Sequence, residues 1–339
     1  MSSERLLKIN LAGILIFLMS PLFGKPLPLV AHKILKSPPP RVIRVCCSLG
    51  SDLMLAGVPF IKFNQNTSLE NIGPHHYLGN SKEGDGIIYT RRGGFIDMAH
   101  LRDQADWTAY LFSLISLCKG KDTIEQPLGH EGGEKILKLM VPLNIDSLDV
   151  MILAARIAYD LSIWHEIATG FGESSVPFIS ERFSSFSVED AYSNLLGATL
   201  GMKALKSELP YEEAMTQFIS NTLDSLEVVK TEAETYAALE DVRNIWWTRE
   251  ARLPSNKVTL ARLVKVYPAI QPFLVPGWLT GKPPVTLNVP YKTIEGQQLS
   301  ELYQIKITLG HKFPKHIKRN ITQDDFNMLI DEVAPTLKN

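Results

Sequence analysis

Cysteine is scarce in this chain: three in 339 residues, with no CxxC pair and no Cys/His set at zinc-finger spacing, which excludes a zinc-finger site. An excess of one charge is also lacking. Lys plus Arg number 35 against 36 for Asp plus Glu, a formal net charge of -1, so the basic footprint of a nucleic-acid binder is missing. No G-x-S-x-G elbow and no Walker or Rossmann glycine pattern occurs, which removes the usual signals of serine hydrolases and nucleotide binders. Beyond residue 23 no apolar run reaches transmembrane length without charges, and no internal repeat is visible.

What is present is a globular composition, 45% hydrophobic and 21% charged, in a chain long enough to bury a core without metal or disulfide staples. The chain opens with Arg5 and Lys8, an apolar stretch from Ile9 to Phe23, and Gly24, the pattern of a secretory signal. Leu22 stands where cleavage needs a small residue, which leaves an uncleaved membrane anchor through residues 9–23 as the alternative. Residues 1–24 are therefore read as a signal peptide or uncleaved anchor, and residues 25–339 as a single α-rich domain with an irregular amino-terminal arm. Two readings of the cysteines stay open. Cys118 bridges to Cys46 or Cys47 in an oxidising compartment, or all three are small buried thiols.

The spacing predicts a short strand at 87–90, a helix from Phe95 through Lys119 and a hairpin within 121–145. Helices are expected from 147 to 169, from after Ser187 to about Lys206, and from Pro210, with a further helical run ending near Trp246-Trp247. Helical content is expected to continue over 260–267. An irregular Pro/Gly-rich excursion over 268–296, a strand at 303–309 and a last helix starting at Thr322 complete the reading. The fold class that follows is mainly α: a helical bundle with small β-hairpins and irregular Pro/Gly-rich segments.

Two predicted helices carry titratable groups among apolar neighbours. On the first, Asp97, His100, Gln104 and Thr108 share a face, with Asp103 three residues beyond His100. A carboxylate at that spacing fixes an imidazole tautomer or joins it as a metal ligand, although Asp97 also reads as a plain helix cap. The second helix is apolar almost all round, so His165 and Glu166 must find partners or shift their pKa values. His165-Glu166-Ile167-Ala168-Thr169 is similar to the zinc-protease HExxH motif, but Thr169 stands where the second histidine belongs. On a third helix Asp190, Asn194, Gly197 and Gly201 share a face, where the glycines allow close packing.

The set Cys46-Cys47, Gly93-Gly94-Phe95-Ile96-Asp97 with His100 and Arg102-Asp103, Trp164-His165-Glu166-Ile167, and Ser184-Ser185-Phe186-Ser187 with Glu189-Asp190 and Tyr192-Ser193-Asn194-Leu195-Leu196-Gly197 resembles Domain of Unknown Function 4056, a bacterial family. The resemblance spans roughly residues 40–310. It implies one envelope-targeted domain from a bacterium, with no activity attached; with the signal segment it implies a periplasmic or secreted protein.

Two functional readings follow. One is a periplasmic hydrolase with catalytic residues Glu166, His165, His100 and Asp103, metal-assisted if a divalent ion such as zinc is held by His100, Asp97, His165 and Glu166. Its substrate would be a small molecule or a component of the cell envelope. The other is a non-catalytic envelope binding or scaffold protein whose buried polar groups fix helix register and whose partner surface includes exposed aromatics at Trp246-Trp247. Helices joined through a hairpin return antiparallel, so Asp97, His100, Glu166 and His165 are expected at one end of the bundle, with a Glu166 oxygen within about 8 Å of the His100 ring.

Overall fold

A computed structural model describes residues 37–44, 49, 53–54, 62–63, 66–174, 181–250 and 258–337. The expected signal segment and Cys46-Cys47 lie outside the described residues, and Cys118 is a buried free thiol. Two short strands, β1 (Leu53–Met54) and β2 (Lys62–Phe63), pair near the amino terminus. A second hairpin joins β3 (Ile87–Thr90) to β4 (Gly94–Asp97), and α1 (Met98–Cys118) leaves it directly. The helix therefore starts three residues later than its apolar spacing suggests. Residues Gly94 to Asp97 are claimed by the β3 ladder, and the turn closes through Gly94 at φ +69°.

The hairpin β5 (Ile124–His130) and β6 (Gly133–Leu139) leads into α2 (Ser147–Gly170), followed by α3 (Asp190–Lys206), α4 (Tyr211–Ser225) and α5 (Glu232–Asp241). Thr231 and Glu234 close a reciprocal capping box at the start of α5. Two small ladders come next: β7 (Trp247–Thr248) with β8 (Val258–Thr259), and β9 (Ala269–Ile270) with β10 (Leu287–Asn288). The chain closes with β11 (Tyr303–Leu309), β12 (Asn320–Thr322) and α6 (Phe326–Val333).

The mainly α helical bundle is thereby overturned. Strand β6 pairs on one side with β5 and on the other with β11, which pairs with β12, giving a four-stranded antiparallel sheet in the order β12-β11-β6-β5 packed with the helices. The class is α+β. Alternating burial along 133–139 and 303–309 is visible in the sequence, but their pairing joins segments more than 160 residues apart, which no local pattern reports. Residues 260–267 are not helical either. Their backbone N–H groups are taken by distant carbonyls: Leu260 and Ala261 donate to Trp246 O (2.7 and 3.0 Å), and Leu263 to Phe186 O (2.8 Å). The expected surface at Trp246-Trp247 is also corrected, since both indoles are buried and Trp247 Nε1 donates to Leu239 O at 3.0 Å.

One hydrophobic cluster runs from Ile72 to Leu337 and includes all three long helices. Helix α2 is buried on nearly every face, with Trp164 stacked between Phe313 and Phe326 at ring separations of 5.5 and 5.8 Å. Helices α1 and α3 touch backbone to backbone. A Cβ on Gly197 would lie 2.0 Å from Leu101 O, and one on Gly201 2.9 Å from Ala105 O. The small-residue face expected on α3 is thus spent on close packing, and it brings the start of α3 against the start of α1. Among the described residues, no helix is long and apolar enough to cross a membrane.

Candidate functional site

The first helix begins on its own carboxylate. Asp97 Oδ1 accepts from the backbone N–H groups of Ala99 (2.8 Å) and His100 (3.1 Å), so the residue caps α1. Its other oxygen, Oδ2, lies 3.1 Å from His100 Nδ1. The cap therefore also orients the imidazole. The backbone N–H of Asp97 donates to Ser193 Oγ at 2.9 Å, which ties the β4–α1 junction to α3. On the same helix, Asp190 Oδ1 lies 3.7 Å from His100 Nδ1.

Glu166, near the end of α2, reaches this region from the other side. Its Oε2 accepts the backbone N–H of Phe186 at 2.7 Å, and Phe186 carries a positive φ of +57°. That conformation costs a bulky residue on the order of 1–3 kcal/mol and persists only where its surroundings enforce it. Glu166 on one side and Leu263, donating to Phe186 O, on the other do so here. Besides burial, the charge of Glu166 pushes Asp190 up.

Asp97, Glu166, Glu189 and Asp190 are all buried, with His100 beside them. Burial is the largest cause holding Asp190 well above the usual carboxylate range, followed by the charges of Glu166 and Glu189. Burial pushes Glu189 up to about 7, against a hydrogen bond from Ser187 Oγ at 2.5 Å. The nearby cation is Arg262, whose guanidinium is drawn down to about 10 by burial and is held by the carbonyls of Ser185 and Phe183. Among the described residues, four carboxyls thus lie near one imidazole and one guanidinium, and burial raises the proton affinity of Glu189 and Asp190.

The other expected site residues point elsewhere. His165 Nδ1 is 2.6 Å from Glu131 Oε1, while Glu131 Oε2 accepts from buried Lys135 at 2.6 Å. The lysine ammonium and the imidazole hold Glu131 well below its usual range against burial. His165 therefore belongs to the β5–β6 turn, on a different side of α2 from Glu166. Asp103 also leaves His100: it accepts from Arg44 Nη1 (2.9 Å) and from the backbone N–H of Ile43 (2.9 Å). Arg44 further bonds Asp106 (2.9 Å) and Glu83 (2.6 Å), and Arg102 bonds Glu83 (3.0 Å). Thr169, at the lost histidine position of the HExxH-like run, donates to His165 O at 2.9 Å and accepts from Ser185 Oγ at 2.9 Å. Elsewhere on α2, Tyr159 and Ser162 donate to the carbonyls of Val266 and of Tyr159. The close approach permitted by Gly94 is to Phe273 O, which a Cβ would meet at 2.3 Å, and not to a ligand.

The expected metal set of Asp97, His100, His165 and Glu166 is therefore divided between two places. Among the described residues, no group of three or more His, Cys, Asp or Glu side chains is arranged to hold a metal ion. Sequence reasoning had placed Asp190 on the face that meets α1 but gave it no role. Acids at the start of a helix read as dipole partners, and Glu189 and Asp190 occupy that position. In the structure Glu189, the residue before the helix, makes no side-chain cap bond, and no sequence signal marks this. A cleft of about 490 Å³ lies away from this cluster, between the β5–β6 turn and β11, with His130, Lys135 and Arg319 on its walls.

The family model described as Protein of unknown function (DUF4056) matches residues 34–276, and the chain belongs to that family. The match takes in the Asp97–His100 segment, Glu166 and the Ser184-to-Gly197 run. No curated protein and no solved structure is similar to the chain.

Proposed function

We propose that this member of the family is a hydrolase exported to the cell envelope, working by acid–base catalysis at the Asp190 cluster. The observation that carries the reading is the crowding of four buried carboxyls beside one imidazole, with the proton affinities of Glu189 and Asp190 raised by burial. Pairs of carboxyls whose surroundings drive their proton affinities apart are how one site supplies both an acid and a base. Asp190 holds its proton and is the general acid. Glu166 is the base: it takes a proton from water as the water oxygen bonds to the scissile centre. Asp190 gives its proton to the leaving group as the old bond breaks. The proton then on Glu166 returns to Asp190 through the shared cluster, which restores the starting state. His100, oriented by Asp97 at 3.1 Å, is the relay between them.

Export rests on Arg5, Lys8 and the apolar run Ile9 to Phe23, with residues 9–23 as an anchor if the segment stays on the chain. Cell fractionation checks it; a cytoplasmic product with an intact amino terminus refutes it. The deep burial of the cluster supports the rival reading, a binding or scaffold protein in which the network only fixes helix positions. A panel of peptide, ester and glycoside substrates separates the two. Hydrolysis by wild type that D190N and E166Q abolish, with melting temperature retained, supports the enzyme. No turnover on any class, together with large destabilisation in both variants, supports the scaffold.

A further inference from the structure

Asn194 is fully buried, and neither end of its amide, Oδ1 or Nδ2, has a hydrogen-bond partner. It lies one turn beyond Asp190 on α3 and directly after Ser193, whose hydroxyl holds the backbone of Asp97. Gly197, three residues further along, presses on Leu101 O. This part of α3 therefore faces the start of α1, on the side where Asp190 meets His100. Glu189 adds a second such group, since its Oε1 is buried and unpartnered while Oε2 is held by Ser187. Buried polar atoms are nearly always paired, and leaving both ends of a carboxamide unmet costs about 1–3 kcal/mol for each group. In the Arg44 network both oxygens of Glu83, Asp103 and Asp106 are hydrogen-bonded, although Arg102 Nε and His75 Nδ1 there are buried without a hydrogen-bond partner.

We propose that Asn194 is the ligand-recognising residue of the site and that the group it recognises is a secondary amide, as in a peptide bond. A side-chain amide presents one donor and one acceptor side by side, which matches the N–H and C=O of one residue in an extended peptide, supplied by the two trans amides flanking its Cα; an ester in place of the first amide removes the donor. Glu189 Oε1 is placed to meet a further polar atom of the same ligand. The inference rests on the acid–base reading of the site, because it names the bond that would sit beside Asp190 and Glu166. It makes the reaction an amide hydrolysis: the C–N bond breaks, water supplies the new C–O bond, and the leaving nitrogen takes the proton from Asp190. His100 and Asp190, at 6% and 4% exposure, are the least enclosed members of the cluster, and Asp190 lies one turn from Asn194.

The test is a titration of uniformly ¹⁵N-labelled full-length protein with N-acetylglycine N-methylamide, read at the Asn194 side-chain NH₂ resonance. The expected result is a saturable shift of that resonance with the diamide, none with the matching ester, and at least about tenfold weaker diamide binding in N194L, the equivalent of ~1.4 kcal/mol. N194D, of nearly the same size, keeps the acceptor and loses the donor, and should weaken binding likewise if N194L does not fold. An unmoved Asn194 resonance overturns the proposal, as does a resonance that exchanges magnetisation only with a long-lived internal water. Diamide binding without turnover of any amide leaves the recognition standing and sinks the hydrolase. Amide turnover with unchanged kcat/KM in N194L does the reverse.

Discussion

Two sets of buried carboxyls meet helix α1 one turn apart, and they are built in opposite ways. Around Arg44, three carboxylates (Glu83, Asp103 and Asp106) face two guanidinium groups, and Asp103 and Asp106 also take backbone N–H groups. His75 adds a contact to Asp106 at 3.0 Å. The guanidinium holds Glu83 at about 2 against burial, and even Asp103, which burial drives up to about 6, is ionised at neutral pH. Around Asp190, among the described residues, four carboxyls lie near one imidazole and one guanidinium; burial raises Glu189 to about 7 and Asp190 well above the usual carboxylate range. The first arrangement locks residues 43–44 and 72–83 onto α1. The second raises the proton affinity of Glu189 and Asp190 where α3 meets α1. The difference teaches that burial alone does not set a carboxyl's proton affinity here; the counter-charges beside it do.

The largest effect expected from this contrast is at Arg44. R44A leaves Glu83, Asp103 and Asp106 without their shared cation and should lower stability by about 3–5 kcal/mol in urea unfolding. A loss below about 1 kcal/mol would show that the network is not the lock described. Next comes the sign of the pH dependence. Glu189 has a folded pKa raised to about 7 from a normal 4.5, so the folded state binds more protons than the unfolded state between those values. Its contribution is present in full below about 4.5 and is lost as pH rises through about 7, a change on the order of 3 kcal/mol. E189Q should flatten that fall. Glu83 runs the other way: its contribution is present above 4.5 and is lost as pH falls through about 2. Urea titrations of wild type and E189Q across pH 2 to 8 check the two signs, and parallel curves for E189Q and wild type would break the comparison.

A smaller effect is expected where the two helices meet. The added methyl of G197A lands against Leu101 O, so α3 must move off α1 at a cost of roughly 1–3 kcal/mol. Because the shift separates Asp190 from His100, the Glu189-linked pH dependence should weaken with it; stability loss with an unchanged pH profile would mean that helix spacing does not set the cluster. The smallest effect sharpens the comparison from outside. T231A removes the capping box of α5, which touches neither network, and should cost ~1 kcal/mol at every pH. Thermal melts at three pH values give that result or refute it.

Much of the local structure was legible. Helices at 147–170 and 190–206 and the strand at 303–309 follow from apolar spacing, and the glycine face of α3 anticipated its contact with α1. Asp97 as a cap was one of two readings of its position, and it turned out to hold the imidazole as well. The site was legible only in part. Asp103 and His165 are each adjacent in sequence or on a helix to the groups they were expected to join, yet Arg44 and Glu131 draw them away. Those partners lie 59 and 34 residues off, and nothing in a helical wheel can report them.

The sequence by itself determined where most helices run, because apolar periodicity and capping act within a few residues. It also placed acids and one histidine on the faces that meet. Only the tertiary structure decided which carboxyls receive a counter-charge, because that depends on segments such as Ile43–Arg44 and Glu131–Lys135 arriving from a distance. It also decided that β6 and β11 join one sheet, since backbone pairing across a long loop is settled by the packing of the whole core and not by either strand.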